Sequence, residues 1–127
     1  ATGAVMTPIY QTSTYAQEAP GQHKGYEYAR TQNPTRTVLE NNLAALENGL
    51  RAFTFGSGLA AMDAVIRLLE PGDEVLLSND LYGGSYRQMV KVHGRYGIKS
   101  QFVDMSDPEN VQNISLQHVI FSIFSIL

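Results

Sequence analysis

The run EVLLS, Glu74–Ser78, limits the possible folds of this chain more than any other feature of the sequence. Its apolar residues are continuous rather than alternating, which is typical of a strand in a parallel sheet that is covered on both faces. The turn residues Pro71–Asp73 come directly before it, and a glycine-rich loop follows it. The pattern therefore predicts a buried strand with helices packed on both sides of the sheet.

Helical patterns surround this run. Asn33 is predicted to cap a first helix that has Pro34 at its first position and ends at Asn48–Gly49. A second helix is predicted after the turn Gly56–Gly58, and a third over about Ser85–Tyr96. Apolar residues recur at helical spacing in the first two: Val38, Leu39, Leu43 and Leu46, then Leu59, Met62, Val65, Ile66 and Leu69.

Two further strands are predicted, RAFTF at Arg51–Phe55 and KSQFVD at Lys99–Asp104. Strands that alternate with helices indicate an α/β fold with a mostly parallel sheet and flanking helices. Residues 1–32 show neither period and are interpreted as an extended N-terminal arm. Residues 33–112 are interpreted as a partial α/β domain, and residues 113–127 as an atypical apolar tail.

The tail NISLQHVIFSIFSIL, residues 113–127, allows two interpretations. It could be a buried strand, or it could be an artefact such as a frameshift or an unspliced intron. We favour the artefact, because the uncharged Ile, Ser and Phe run has no clear amphipathic period. The run is shorter than the roughly 20 residues that span a bilayer, so no membrane partner is expected.

Composition excludes several kinds of site. The formal net charge is −3 and no basic patch stands out, so a nucleic-acid partner is not expected. The chain has no cysteine, which excludes disulfides, thiolate metal ligands and cysteine nucleophiles and suits a reducing, cytoplasmic compartment. His23, His93 and His118 are scattered without ligand-like spacing, so no metal site is expected.

The turn before the second helix has the chemistry of a phosphate site. A helix N-terminus offers free N–H groups and a partial positive charge to an anion. Gly56 and Gly58 allow close backbone approach, and Ser57 can cap the helix or donate to an oxyanion. An ordinary strand-to-helix turn would use the same residues.

Two other segments carry matching chemistry. Tyr82 follows Glu74–Ser78 at the strand end where ligands of open α/β sheets bind, and its ring can stack on a planar group. Tyr28 and Arg30 are two residues apart and would point the same way on an extended segment, as a phosphate clamp. Each could instead be an ordinary surface residue. Together they favour a phosphorylated aromatic cofactor, with a nucleotide-binding module as an alternative.

These segments also carry a family resemblance. GYEYARTQNPTR (Gly25–Arg36), GSGLAA (Gly56–Ala61) and DLYGGSYR (Asp80–Arg87) resemble signature segments of the Cys/Met-metabolism family of pyridoxal-phosphate enzymes. The opening TGAVMTPIYQTSTYAQ (Thr2–Gln17) resembles the N-terminal arm of that family. The segments occur in the family's order over about residues 2–107, which is far more specific than any one of them.

The resemblance implies a fold and an assembly. This chain would be part of the large domain of the aminotransferase-like (fold type I) pyridoxal-phosphate fold. The active unit would be a dimer within a homotetramer, a dimer of dimers, acting on a small amino-acid substrate.

The resemblance also implies roles for named residues. Gly58 and Leu59 would donate backbone N–H groups to the phosphate of pyridoxal 5′-phosphate, beside Ser57. Tyr82 would stack on the pyridine ring and assist proton transfer. Tyr28 and Arg30 would reach the phosphate of a neighbouring subunit's cofactor.

The sequence departs from the family pattern in one respect that matters for catalysis. The family's Schiff-base lysine lies in a Ser-x-Thr-Lys segment, and an aspartate upstream of it pairs with the pyridine nitrogen; neither segment occurs here. Lys24, Lys91 and Lys99 lie elsewhere. The resemblance implies γ-elimination on cystathionine, as in a γ-lyase, or γ-replacement on an O-acylhomoserine, as in a γ-synthase. This chain alone would be an inactive fragment of either.

Overall fold

The computed structural model describes residues 3–114 and 119–123 of the 127-residue chain. The chain forms two compact units, which divide between Thr54 and Phe55. The division into arm, domain and tail made from the sequence stays a prediction. No helix in the described part of the chain is both long and apolar enough to cross a bilayer.

The first unit contains the arm and helix α1, Pro34–Leu46. Between residues 3 and 32 the arm turns back on itself, because Thr14 pairs with Tyr28 and Ala19 with Gln22 in isolated antiparallel bridges. The expectation of an extended N-terminal arm over residues 1–32 stays a prediction, and these bridges show that it contains turns. The backbone of the arm is hydrogen-bonded to the start of α1, because the Tyr10 N–H donates to Thr35 Oγ1 at 2.9 Å.

The predicted ends of α1 are confirmed. The side chain of Asn33 accepts a hydrogen bond from the Thr35 N–H at 2.9 Å, and Pro34 occupies the first helical position. At the other end Asn48 has a positive φ of 54°, and the Gly49 N–H donates to the Ala44 carbonyl at 2.8 Å. Both ends follow from local signals in the sequence.

The predicted strand at Arg51–Phe55 does not form. The Thr54 N–H donates to the side chain of Glu40 at 3.0 Å instead of to a neighbouring strand. Phe53 and Phe55 are exposed rather than packed on a sheet. The Thr54 amide thus donates to a side-chain carboxylate, whereas the predicted strand would have required a neighbouring strand.

The second unit begins with helix α2, Gly58–Ile66, and continues with strand β1, Glu74–Ser78. Helix α3, Gly83–Arg87, runs without a break into a π-helical turn at Gln88–Val92 and a 3-10 turn at His93–Tyr96. The third helix is thus present, two residues earlier than predicted and with irregular hydrogen bonding. Strand β2, Lys99–Val103, follows it, then helix α4, Pro108–Gln112, and strand β3, Val119–Ile123.

The three strands form one parallel sheet in the order β2-β1-β3. Glu74 pairs with Lys99 and Ser78 with Val103 on one side of β1. On the other side Glu74 pairs with Val119, and the register then shifts. The apolar run predicted to be a buried parallel strand is therefore the central strand. The core around it comprises Ile66, Leu69, Val75, Leu77, Met89 and Ile98.

Part of the tail belongs to this sheet. Strand β3 lies within residues 113–127 and pairs with β1, whereas the choice between a genuine buried strand and a sequence artefact stays a prediction. Residues 115–118 and 124–127 lie outside the described residues.

Candidate functional site

The start of α2 is an open cradle of backbone N–H groups. The extended Ser57 caps the helix, its Oγ accepting a hydrogen bond from the Ala60 N–H at 3.2 Å. The amides of Gly58 and Leu59 belong to the first turn and have no acceptor within the helix. A Cβ added at Gly56 or Gly58 would meet no atom within 4 Å, so a ligand can approach the backbone here.

Tyr82 is the last residue before α3, beyond the carboxyl end of β1. The residue is 52% exposed, and its ring folds back against Gly84. A Cβ at Gly84 would lie less than 3.0 Å from two carbons of this ring, so only glycine leaves room for the ring's position. The loop thus presents a flat aromatic surface to solvent at the sheet edge where the sequence placed it.

Gln88, at the start of the π-helical turn after α3, contacts the first turn of α2. Its Nε2 donates to the Leu59 carbonyl at 3.1 Å, and the same nitrogen lies 3.5 Å from Asp63 Oδ1. The cradle on α2 is thereby linked to the helical segment that begins after Tyr82. Non-local contacts of this kind leave no signal in the sequence, and sequence analysis missed Gln88.

Asp63 is the charged centre next to this link. A hydrogen bond from Arg67 Nε at 2.6 Å lowers the pKa of Asp63, and the same pair raises the pKa of Arg67. His93, which is buried, places Nε2 3.2 Å from Asp63 Oδ1 without hydrogen-bond geometry. The carboxylate therefore stays ionised and fixes one flank of α2.

Tyr28 and Arg30 lie together in the first unit. The guanidinium carbon of Arg30 is 4.9 Å from the centroid of the Tyr28 ring, a cation–π contact. The reason given from the sequence is wrong, because residues 29–31 form a turn and not an extended segment. The N–H groups of Thr31 and Gln32 both donate to the Tyr28 carbonyl, at 3.1 and 3.0 Å. The turn brings the phenol and the guanidinium together.

The structure groups the predicted site residues within two units. Ser57, Gly58, Leu59 and Tyr82 belong to the second unit, and Tyr28 and Arg30 to the first. Their roles toward a ligand stay predictions. Sequence analysis missed Arg36, which donates to carbonyls of the Tyr28–Arg30 turn, and Glu40, which lies 3.7 Å from Arg36. Their spacing of four residues on a helix could have indicated an ion pair.

The residues present fit a phosphorylated planar group. The free amides of Gly58 and Leu59, beside open space, suit a phosphate, and the exposed ring of Tyr82 suits a flat ring system. Two of the three lysines in the sequence are held in ion pairs, Lys24 with Glu18 at 3.5 Å and Lys99 with Glu74 at 3.1 Å. The described residues thus have the chemistry to hold such a group, and none of the three lysines lies in the Ser-x-Thr-Lys context that the resemblance implies.

Comparison with known proteins gives consistent results. The family model described as Cys/Met metabolism PLP-dependent enzyme matches residues 1–121. A cystathionine gamma-lyase of Bacillus subtilis is 56% identical over 111 residues, covering 87% of this chain and 29% of that protein. A cystathionine beta-lyase of Coxiella burnetii is 53% identical over 112 residues, with coverage of 87% and 29%. A probable cystathionine gamma-synthase of Herpetosiphon aurantiacus is 52% identical over 111 residues, with coverage of 87% and 35%.

Solved structures agree. The crystal structure of cystathionine gamma-lyase from Lactobacillus plantarum complexed with L-serine has a TM-score of 0.81 and 40% sequence identity, over 93% of this chain and 31% of that chain. This similarity confirms the predicted fold class, part of the large domain of the aminotransferase-like fold. The chain spans about a third or less of the length of these relatives.

Proposed function

Because this chain belongs to the Cys/Met-metabolism family of pyridoxal-phosphate-dependent enzymes, we propose that the protein carrying it acts in transsulfuration by γ-elimination on cystathionine. The family match confirms the resemblance found in the signature segments and removes the nucleotide-binding alternative. The observation that carries the choice of reaction is the 56% identity to a cystathionine gamma-lyase. The cofactor of this family is pyridoxal phosphate.

The roles of the chain's own residues follow from their chemistry. Gly58 and Leu59 bind the phosphate through their free amides, and Ser57 caps the helix turn to which they belong. Tyr82 holds the ring of the ligand by stacking, and its phenol is placed to hold or move a proton there. When bound, the cofactor supplies an electron sink for the substrate's α-carbon.

The Tyr28–Arg30 pair serves a neighbouring copy of the chain in this proposal. A guanidinium beside a phenol offers charge-assisted hydrogen bonds to a phosphate. Both side chains stand on an exposed turn of the first unit, where another molecule can reach them. The proposed assembly is therefore a homo-oligomer, a dimer of dimers in the cytoplasm, whose sites are completed in pairs.

Cystathionine γ-synthase activity is the second candidate. The support for it is the relative of that name at 52% identity, only slightly below the γ-lyase. A relative named β-lyase is 53% identical, so the assay must also distinguish β-elimination on cystathionine from the γ-lyase and γ-synthase reactions.

One assay distinguishes these reactions. The natural full-length protein is loaded with pyridoxal phosphate and offered cystathionine, or O-succinylhomoserine with cysteine. Release of cysteine and 2-oxobutanoate supports the γ-lyase, and formation of cystathionine supports the γ-synthase. Homocysteine and pyruvate would overturn both in favour of β-elimination, and no cofactor binding would overturn the proposal altogether.

The 127-residue chain on its own is expected to be inactive. It has no lysine in the family's Ser-x-Thr-Lys context, so the usual covalent link to the cofactor cannot form. Turnover of cystathionine by the purified chain, with a cofactor link that borohydride fixes to one lysine, would contradict this expectation.

A further inference from the structure

The guanidinium of Arg36 contacts three successive backbone carbonyl groups of the turn that carries Tyr28 and Arg30. Its Nη1 donates to the Ala29 carbonyl at 3.2 Å, and its Nη2 to the Thr31 carbonyl at 2.7 Å. A third and longer contact joins Nη2 to the Arg30 carbonyl at 3.5 Å. The planar guanidinium can reach several acceptors from one position, which a lysine ammonium cannot do in the same way.

The turn brings these carbonyls together at a cost. The Tyr28 carbonyl already accepts from the Thr31 and Gln32 amides and from Thr31 Oγ1, which closes the turn on its inner side. The next three carbonyl oxygens point toward one place, and their dipoles repel one another. A positive charge at that place removes the repulsion, so Arg36 favours this turn over other conformations of the loop.

Glu40 holds Arg36 in position from the next turn of α1. Its Oε1 lies 3.7 Å from Arg36 Nε and accepts from Thr54 N and Oγ1 at 3.0 and 2.9 Å. The hydrogen bond from the Thr54 amide is the main cause of a lowered pKa at Glu40. The Arg36 side chain is 33% exposed, so its charge alone contributes little and the arrangement of donors matters more.

We propose that Arg36 is a positioning residue for cofactor binding, which acts by fixing the turn that presents Tyr28 and Arg30. The inference rests on the proposed function, in which that pair binds the phosphate in a neighbouring subunit. Arg36 donates its hydrogen bonds to backbone carbonyls and therefore acts through the turn. The guanidinium of Arg30 instead lies over the Tyr28 ring.

The test compares Arg36→Lys with Arg51→Lys in the full-length protein. Arg51 is an exposed arginine of the same unit whose side chain makes no hydrogen bond to the described residues. The first readout is amide hydrogen exchange at Thr31 and Gln32 without cofactor. The second is the dissociation constant of pyridoxal phosphate, measured by fluorescence titration.

Arg36→Lys is expected to speed exchange at both amides and to weaken cofactor binding about tenfold, whereas Arg51→Lys leaves both unchanged. In an Arg30→Ala background, Arg36→Lys should weaken binding less than about threefold, because the residue it positions has gone. A merely structural arginine would give the same factor in both backgrounds.

Additive effects, or wild-type exchange and affinity in Arg36→Lys, would overturn the inference. If Arg36→Lys does not fold, Glu40→Gln replaces it, since it keeps an acceptor for Thr54 and removes the charge opposite Arg36. A smaller change in the same direction is then expected, and no change in exchange at Thr31 and Gln32 overturns the inference. If the wild type binds no pyridoxal phosphate, the proposed function is overturned. The amide hydrogen exchange at Thr31 and Gln32 then still shows whether Arg36 holds the turn.

Discussion

Two adjacent glycines at the start of α3 have very different surroundings. A Cβ at Gly84 would press on the ring of Tyr82, whereas a Cβ at Gly83 would only touch Arg87 Nη1 at an ordinary 3.7 Å. The two positions belong to the same helix and differ by one residue. Substitutions at these two positions therefore distinguish an effect on the position of the Tyr82 ring from an effect on the stability of α3.

Gly84→Ala is expected to weaken pyridoxal-phosphate binding at least severalfold, because the ring of Tyr82 must leave its position. Gly83→Ala should bind normally. Alanine is preferred over glycine in helices by roughly 0.5–1 kcal/mol, so neither variant need be less stable. Fluorescence titration and urea denaturation of both variants provide the measurements. Equal affinities for the two variants would show that the ring's position does not matter.

The lowered pKa of Glu40 leads us to expect that the free energy of unfolding depends on pH. Its folded-state pKa is lowered, first by the Thr54 amide hydrogen bond. The stabilisation is therefore complete above the ordinary glutamate pKa and is lost as the pH falls through the lowered folded value. The difference in free energy of unfolding between wild type and Glu40→Gln should shrink as the pH falls through this range. Denaturation series at several pH values measure it, and a constant difference would contradict the assignment.

At the scale of elements, the side chain of Gln88 links α2 to the helical segment after Tyr82. Gln88→Leu removes the donor to the Leu59 carbonyl while keeping similar size and helix preference. We expect a loss of about 1 kcal/mol in stability and weaker binding of pyridoxal phosphate. Gln112→Leu is the control, since Gln112 is exposed on α4 and makes no side-chain hydrogen bond to the described residues. Similar results for both variants would remove the role of Gln88.

Elements with local signals were predictable, and those that depend on distant partners were not. The caps of α1 and the apolar run of β1 are written in neighbouring residues, and both predictions are confirmed. Arg51–Phe55 has the residues of a strand but no neighbouring strand among the described residues, because pairing is decided by the rest of the chain. Helix α4 was missed although Asp107 and Pro108 repeat the cap signal of Asn33 and Pro34.

The same distinction applies to the site. The cradle at Gly58 and Leu59 and the aromatic at Tyr82 follow strands or turns in sequence, so their places could be predicted. The hydrogen bond from Gln88 to Leu59 spans 29 residues and the Glu40–Thr54 bond spans 14. Residue spacing in the sequence does not indicate contacts between residues so far apart. The contacts that hold the site together were therefore the part that only the structure could provide.

At the scale of the whole molecule, the apolar face of α1 is largely uncovered. Leu46 is 70% exposed, and three other residues of the predicted apolar side are exposed as well: Val38, Leu39 and Leu43. Large exposed apolar surfaces promote association. The isolated 127-residue chain is expected to aggregate or to bind hydrophobic dyes.

Leu46→Gln tests this expectation, since it should reduce aggregation without loss of fold. Leu77→Gln, at a position 1% exposed in the core, should increase aggregation by unfolding the sheet. Light scattering and dye fluorescence measure both. A monodisperse monomer with a sharp cooperative thermal transition would show that the face needs no cover.

The strand order of the sheet has a consequence during protein synthesis. β1 is central, yet both of its neighbours come later in the chain: β2 begins 21 residues after Ser78 (99 − 78) and β3 begins 41 residues after it (119 − 78). At about 5–20 residues per second, the ribosome needs roughly 1–4 s to supply the first neighbour and roughly 2–8 s to supply the second. Until β2 has been made, β1 has no neighbouring strand of this sheet on either edge. The central strand is thus the first of the three strands to be made, and its pairing is complete only after β3 has been synthesised.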